Sequence, residues 1–248
     1  RGALALVFDP AYVGATYPKG AFMKRSRINE ILRESDAFIR ANGVHLPPFA
    51  YASPEALRAL DHSQIKARRM GWDITDYGQE RFDDMGLFLF TTRNGSVGEL
   101  GQASGMLYAE KIMISRVDQL SPMHRHNIKV EDIINRGGGT LVLELFKAAP
   151  DGSIDRSAEV EVMVDGVMRR VGPGEHLKLV PGESVTLRPS DWHAFWAEGS
   201  DVLITEVSTV NDDLTDNVFE MDIGRFSNID EDEPPQHLLV SDYDRHLT

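Results

Sequence analysis

Two histidines separated by a single residue, His124 and His126, followed by Glu131 and answered far downstream by His193, are the side chains of this 248-residue sequence best suited to chemistry. On an extended strand, side chains two apart leave the same face, so both imidazoles can address one point. A short turn can then bring the Glu131 carboxylate beside them. With His193 arriving from a later strand, the set becomes three imidazoles and one carboxylate. Those donors suit a borderline divalent cation that keeps positions open for water or substrate. A His-x-His pair alone carries little weight, because exposed strand histidines produce it too.

The elements that must position these residues are mostly strands. From Gly86 onward, Leu87 to Thr92, Leu107 to Arg116, Leu141 to Lys147, Glu159 to Val164, Val167 to Val171, His176 to Val180, Ser184 to Arg188, His193 to Ala197 and Val202 to Val210 are short, rich in Val, Ile, Leu and aromatics, and bounded by Gly, Pro or Asp. Asp165-Gly166 between two alternating runs predicts a hairpin turn. So many antiparallel strands, two of them carrying the candidate ligands, indicate a small β-barrel or jelly roll around the site. Before Gly86 the pattern is helical. Ile28, Ile31, Leu32, Phe38 and Ile39 share one face, with Ser26 as the candidate cap and Asn42-Gly43 as the stop. A second helical stretch starts at Ser53-Pro54-Glu55 and runs to about Met70 with a break near His62-Ser63. These helices are expected to pack outside the barrel.

Composition bounds the function. A net charge of −13 excludes the basic groove that nucleic acid requires, and no apolar run approaches a membrane span. The absence of cysteine removes disulfides and thiolate ligands, which is compatible with the cytoplasm. A hydrophobic content of 42% over this length supports one domain with a sizeable core. Residues 1–22 carry several Gly and Pro and lack a signal-peptide layout, so they are expected to be an extension, with the enzyme-sized domain spanning 23–248 from Met23. Arg136-Gly137-Gly138-Gly139 precedes a strand and lacks a following helix with Lys-Ser/Thr, so a tight turn is expected rather than a phosphate cradle. Asp230-Glu231-Asp232-Glu233 is expected to be a solvated face, and Asn211-Asp212-Asp213 and Asp216-Asn217 to be caps and turns. His45, His62, His176, His237 and His246 show no ligand spacing.

His-x-His, four residues, Glu131, six residues and Gly138 reproduce the first motif of the cupin family. From Gly182 to His193 the second motif keeps its overall length, but Pro189 is displaced by one, Asp191 stands near the expected glycine and Ala197 replaces an asparagine. From Met23 onward the chain resembles, more specifically, the cupin-type D-lyxose isomerases. The resemblance rests on Leu46-Pro47-Pro48-Phe49-Ala50, on the segment from Gly71-Trp72-Asp73 to Asp76, on Thr92-Arg93-Asn94-Gly95 and on Tyr108-Ala109-Glu110-Lys111. It continues through the metal segment to Gly139, Glu206 to Asp213, Gly224-Arg225-Phe226 and Glu231 to Pro235. It implies a divalent metal, usually manganese, with cobalt, iron, nickel and zinc as alternatives. It also implies an aldose to ketose reaction on pentoses and a homodimer.

Aldose to ketose conversion moves a proton between adjacent carbons and another between adjacent oxygens. It therefore needs an electrophile at the carbonyl and a base near the carbons. Glu206, on the last core strand with Ile204 and Ser208 on its face, is the candidate base, since a carboxylate drawn into a barrel is costly unless functional or paired. Lys129, on the loop between His126 and Glu131, is the candidate donor to a substrate oxygen, although a surface ammonium would read the same way. Lys111, Asp216 and Arg225 are candidates for grasping substrate hydroxyls. A cupin dioxygenase using ferrous iron and a non-catalytic sugar-binding cupin would share the same barrel and ligands.

Overall fold

Leu87-Phe88-Leu89-Phe90 is an unbroken apolar run because its strand is buried on both faces. Leu87 and Leu89 belong to the core enclosed by the folded sheet, whereas Phe88 and Phe90 pack outward under a helix. This division organises the molecule, whose computed structural model describes residues 22–247. A short strand β1 (Met23–Lys24) leads into helix α1 (Arg25–Ala41), and the short helices α2 (Pro54–Ala59) and α3 (Ser63–Ala67) follow. Strands β2 (Gly71–Thr75) and β3 (Leu87–Asn94), helix α4 (Val97–Gly101), and strands β4 (Tyr108–Ser115), β5 (Ser121–His126) and β6 (Glu131–Ala148) come next. Then follow β7 (Ile154–Asp155), β8 (Val160–Val164), β9 (Val167–Val171), β10 (His176–Leu179), β11 (Ser184–Leu187), β12 (Asp191–Thr209), β13 (Asn217–Phe219), β14 (Ile229–Asp230) and α5 (Tyr243–His246).

The large sheet is antiparallel throughout and runs β2-β3-β4-β12-β6-β11-β8-β9, with β5 beside β12 and β13 beside β5. Its inner face surrounds an apolar core that includes Leu89, Met113, Ile133, Leu143, Val185 and Ile204. The fold is mainly β and cupin-like, with the N-terminal helices outside, as the sequence implies. The expected strands His193 to Ala197 and Val202 to Val210 are in fact one, and the expected strand Leu141 to Lys147 begins earlier, at Glu131. β6 and β12 are each continuous across what looked like turns, because they pair with each other along nearly their whole length. Arg136 to Gly139 is accordingly not a turn but an irregularity within β6: Gly138 has φ of 95°, and a Cβ there would lie 1.9 Å from the Asp201 carbonyl oxygen. The Asp165-Gly166 hairpin forms as expected, both residues having positive φ.

Helix α1 presents Ile28, Ile31, Leu32 and Ile39 to Trp72, Ile74, Phe88, Phe90, Ile112 and Ile114 on the outer face of β2 to β4. Each such burial contributes on the order of 2 kcal/mol against exposure. Ser26 does not cap this helix, which begins one residue earlier after Lys24. The cap comes from elsewhere in the chain, since the Asp232 carboxylate accepts the Ser26 backbone N–H at 2.9 Å and its hydroxyl at 2.7 Å. The acidic run is therefore not merely a solvated face. Glu231 takes two hydrogen bonds from Arg25, both at 2.8 Å, and Glu233 accepts from Asn29 at 2.6 Å. In the second helical stretch Ser53 caps α2 through the Ala56 N–H, and the break near His62-Ser63 is present. Of the expected extension 1–22, only Phe22 lies within the described residues; its N–H donates to Glu80 at 2.7 Å.

Arg25 is fully buried and also makes a paired contact with Asp242, which is 5% exposed. Arg25→Ala leaves that carboxylate buried without its partner, so it should cost roughly 3–5 kcal/mol in urea unfolding. A loss below about 1 kcal/mol would show that the pairing does not hold α1 and the C-terminal segment together.

Candidate metal and sugar site

His124 and His126 leave the same face of β5, and the register places His193 of β12 directly opposite His124. Glu131 is the first residue of β6, reached through the turn 127–130. The ligand atoms of the three histidines all lie within 4.8 Å of one another. Glu131 Oε1 stands 3.3 Å from His126 Nε2 and 3.2 Å from His193 Nε2.

Second contacts orient two of the rings. His124 Nδ1 lies 2.8 Å from the Pro122 carbonyl oxygen and His193 Nδ1 3.0 Å from that of Asp191. A carbonyl only accepts, so each Nδ1 carries the proton and each Nε2 turns a lone pair inward. The loop where the second cupin motif departs from its pattern is thus put to use. Asp191 is buried, takes the Lys147 ammonium at 2.6 Å and the Arg188 N–H at 2.9 Å, and so fixes the carbonyl that orients His193.

The fit to a cation rests on what these donors lack. Glu131 Oε1 and both ring nitrogens of His126 are buried without a hydrogen-bond partner among the described residues. An anionic oxygen facing imidazole lone pairs at about 3 Å is unfavourable, and a divalent ion between them would satisfy every orphaned atom except His126 Nδ1, which points away toward Asp216. Burial, together with the neighbouring imidazoles, holds His124 well below the ordinary histidine range, favouring the neutral ligand form.

Beside these donors lies a buried row of charge. Lys129 Nζ contacts Glu131 Oε2 at 2.6 Å and Glu206 Oε1 at 3.0 Å, and Lys111 Nζ reaches the same Glu206 oxygen at 3.4 Å. Burial opposes the charge on Lys129, but Glu131 and Glu206 outweigh it and raise its pKa above the usual lysine value. Burial likewise opposes ionisation of Glu206, yet Lys111 and Lys129 hold its carboxyl below the ordinary value. Lys111 also donates to Asn211 at 2.6 Å. The reading of Lys129 as a surface ammonium is corrected, since its side chain is 2% exposed.

These groups surround a small cavity of about 40 Å³. His124, His126, Lys129, Glu131, His193, Glu206, Lys111 and Arg225 all line it. Asp216 does not: its carboxylate is taken up by backbone N–H groups of residues 127–129, and Asp213 occupies the wall instead. Asp213 lies 3.3 Å from Arg225 and 3.9 Å from Lys111, and despite burial these cations hold it far below the usual carboxylate range. Sequence reasoning placed Asp213 only among caps and turns. It also missed Tyr77, which has positive φ and a hydroxyl 3.1 Å from Ser121 Oγ, and Phe219, whose ring lies 5.7 Å from that of His124. Neither residue sits at a spacing that marks it; both arrive by long-range pairing.

This architecture is shared with sugar isomerases. The L-ribose isomerase of Acinetobacter sp. DL28 in complex with L-ribose aligns with a TM-score of 0.57 at 16% identity, covering 85% of this chain and 99% of that one. That of Cellulomonas parahominis with L-ribose aligns equally well at 15% identity, with the same coverage. At such identities the likeness concerns the fold. Sequence is more specific, and the chain belongs to the D-lyxose isomerase family, whose profile matches residues 23–243. It is 46% identical over 230 residues to the D-lyxose/D-mannose isomerase of Serratia proteamaculans, spanning 91% of this chain and 100% of that protein. The enzyme of the same name from Escherichia coli O157:H7 is 46% identical over 226 residues, 89% of this chain and 98% of that one. The chain is thus an aldose–ketose isomerase rather than a dioxygenase or a binding module.

If the four donors hold one ion, His124→Ala, His126→Ala, Glu131→Ala and His193→Ala should each lower the metal content measured by elemental analysis. Each should also blunt the rise in melting temperature that added manganese gives the parent chain. Stoichiometric metal in all four variants would overturn the ligand set.

Proposed function

We propose that this enzyme interconverts D-lyxose and D-xylulose, and also D-mannose and D-fructose, by proton transfer through an enediol. The observation that carries the mechanism is the position of Glu206, buried between Lys111 and Lys129 and one lysine away from Glu131, whose other oxygen is without a partner among the described residues. The relatives' substrates support the sugars, since D-lyxose and D-mannose share the configuration of their first stereocentres and differ by one terminal carbinol. His124, His126, Glu131 and His193 would hold the divalent ion, with manganese as the native metal and cobalt, iron, nickel and zinc fitting the same donors. Such an ion supplies a Lewis acid that polarises the sugar's carbonyl and neighbouring hydroxyl.

Glu206, ionised at neutral pH, takes the proton from the carbon next to the carbonyl and returns it to the former carbonyl carbon, while the proton of the neighbouring hydroxyl passes to the former carbonyl oxygen by way of Lys129. Lys129, held charged by Glu131 and Glu206, donates a hydrogen bond to the oxygen on which negative charge grows. Lys111 does the same from the opposite side while fixing the rotamer of Glu206. Arg225, whose Nη1 is buried without a partner among the described residues, is available to a substrate hydroxyl, and Asp213 aims its guanidinium. We also propose that the active form is a homodimer, that residues 23–248 constitute the enzyme and that it works in the cytoplasm. No helix among the described residues is long and apolar enough to cross a membrane.

Glu206→Gln keeps size but removes basicity, and should lower kcat by roughly a hundredfold or more with metal content unchanged. In heavy water the parent enzyme should place deuterium on the product sugar. Near-normal turnover by the variant would move the base elsewhere, and complete retention of substrate hydrogen would argue for a hydride shift. A chain beginning at Met23 should fold and turn over D-lyxose at the parent rate, and loss of both would refute the domain boundary.

A further inference from the structure

Asp216 is buried, yet it does not face the cavity. Its Oδ1 accepts the N–H groups of Asn127 at 3.0 Å and Ile128 at 2.7 Å, and its Oδ2 accepts that of Lys129 at 3.0 Å. The Asn127 N–H also lies 3.1 Å from the Asp216 carbonyl oxygen. Three successive amides converging on one carboxylate form an anion-binding concavity, and the charge strengthens each bond. The clasped segment is the turn between His126 and Glu131, so it sets where both ligands and Lys129 emerge. The next residue, Asn217, pairs with His126 in the β13–β5 register, which ties the clasp to the strand that carries the ligands.

Asp216 Oδ2 also lies 3.8 Å from His126 Nδ1, one of the buried atoms without a hydrogen-bond partner among the described residues. That distance is too long for a hydrogen bond, but the carboxylate is the polar group facing this nitrogen. It favours the tautomer with the proton on Nδ1, leaving the Nε2 lone pair directed toward Glu131 Oε1. His124 and His193 obtain the same orientation from the carbonyls of Pro122 and Asp191. Asp216 completes the set for the third ring.

We infer that Asp216 is a positioning residue, not a substrate ligand: it shapes the turn 127–129 and orients His126, and so governs how tightly the site holds a divalent cation. This inference rests on the proposed metal site. Groups that orient a ligand ring commonly change metal affinity by 10–100-fold when removed, and an effect of that size is expected here.

The test uses the full chain stripped of metal and titrated with manganese(II) by calorimetry, in the parent, Asp216→Ala, Asp216→Asn and Thr209→Val forms. Thr209 Oγ1 accepts the Val130 N–H at 3.2 Å, so its replacement loosens the same turn without touching a ligand. The expected result is at least a tenfold weaker manganese affinity in Asp216→Ala and a change under twofold in Thr209→Val. KM for D-lyxose at saturating manganese should stay within about twofold of the parent. Should Asp216→Ala fail to fold, Asp216→Asn, which keeps one acceptor oxygen and the side-chain size, decides by the same criterion.

Unchanged manganese affinity in a folded Asp216 variant overturns the inference. So does a KM increase without loss of affinity, which would make Asp216 a substrate ligand after all. Failure of both Asp216 variants to fold at saturating manganese also overturns it, because the clasp would then serve the fold. Absence of manganese binding by the parent chain is a different result, which would remove the metal site itself.

Discussion

Charge buried in an apolar enclosure must be paired, and the interior of this protein is built around that requirement. Lys111, Lys129, Glu131 and Glu206 have side chains no more than 4% exposed. Removing each such ion from water costs several kcal/mol, which only close opposite charges and hydrogen bonds offset. The observed row alternates ammonium and carboxylate, Lys111 to Glu206 to Lys129 to Glu131. It ends at a Glu131 oxygen with no partner among the described residues. That oxygen sits beside three imidazoles, where a cation would satisfy it.

Sheet register delivers these groups to one place. Lys111 and Glu206 are cross-strand neighbours on β4 and β12, and Glu206 lies opposite Ile133 on β6, two residues beyond Glu131. A slip of one residue would turn every one of these side chains to the outer face, where apolar neighbours would be exposed instead. The alternation that buries Met113 and Ile204 therefore also aims Lys111 and Glu206 into the cavity. Long paired strands give the site rigidity that loops would not. The parts contributed by loops are individually tied, as Asp191 is by Lys147 and Arg188, and as Asn211 is by a reciprocal pair of hydrogen bonds with Asn94.

The cupin-like scaffold by itself does not dictate a reaction, since its two motifs provide ligands to many chemistries. In this chain the Glu206 carboxylate lies one lysine away from Glu131 and the three imidazoles, with an ammonium on either side. That arrangement suits proton exchange between adjacent carbons and gives family membership a chemical meaning. The segment 211–217 serves both ends of the site: Asn211 and Asp213 engage Lys111, while Asp216 clasps the turn between His126 and Glu131.

Sequence alone determined whatever depends on local periodicity and short spacing. The His-x-His pair lies on one strand and Glu131 opens the next after a short turn, so their convergence follows from strand geometry. His193 added a second motif at a characteristic length. The apolar face of α1, the Ser53 cap and the Asp165-Gly166 hairpin are likewise local, and each formed as read. Glu206 was legible because an acidic residue in phase with Ile204 must be explained by pairing or function. Tertiary structure decided everything that depends on which distant residue fills a vacancy. Asp232 rather than Ser26 caps α1 from more than two hundred residues away, and the acidic run that looked solvated holds Arg25 and Asn29. Arg136 to Gly139 continues a strand because β12 lies alongside it. Asp216 and Asp213 exchange the roles that composition would assign them, since one finds three free amides and the other finds Arg225 at the cavity wall. A side chain's type states which partners it needs, but only the folded chain settles which of them come within hydrogen-bonding distance.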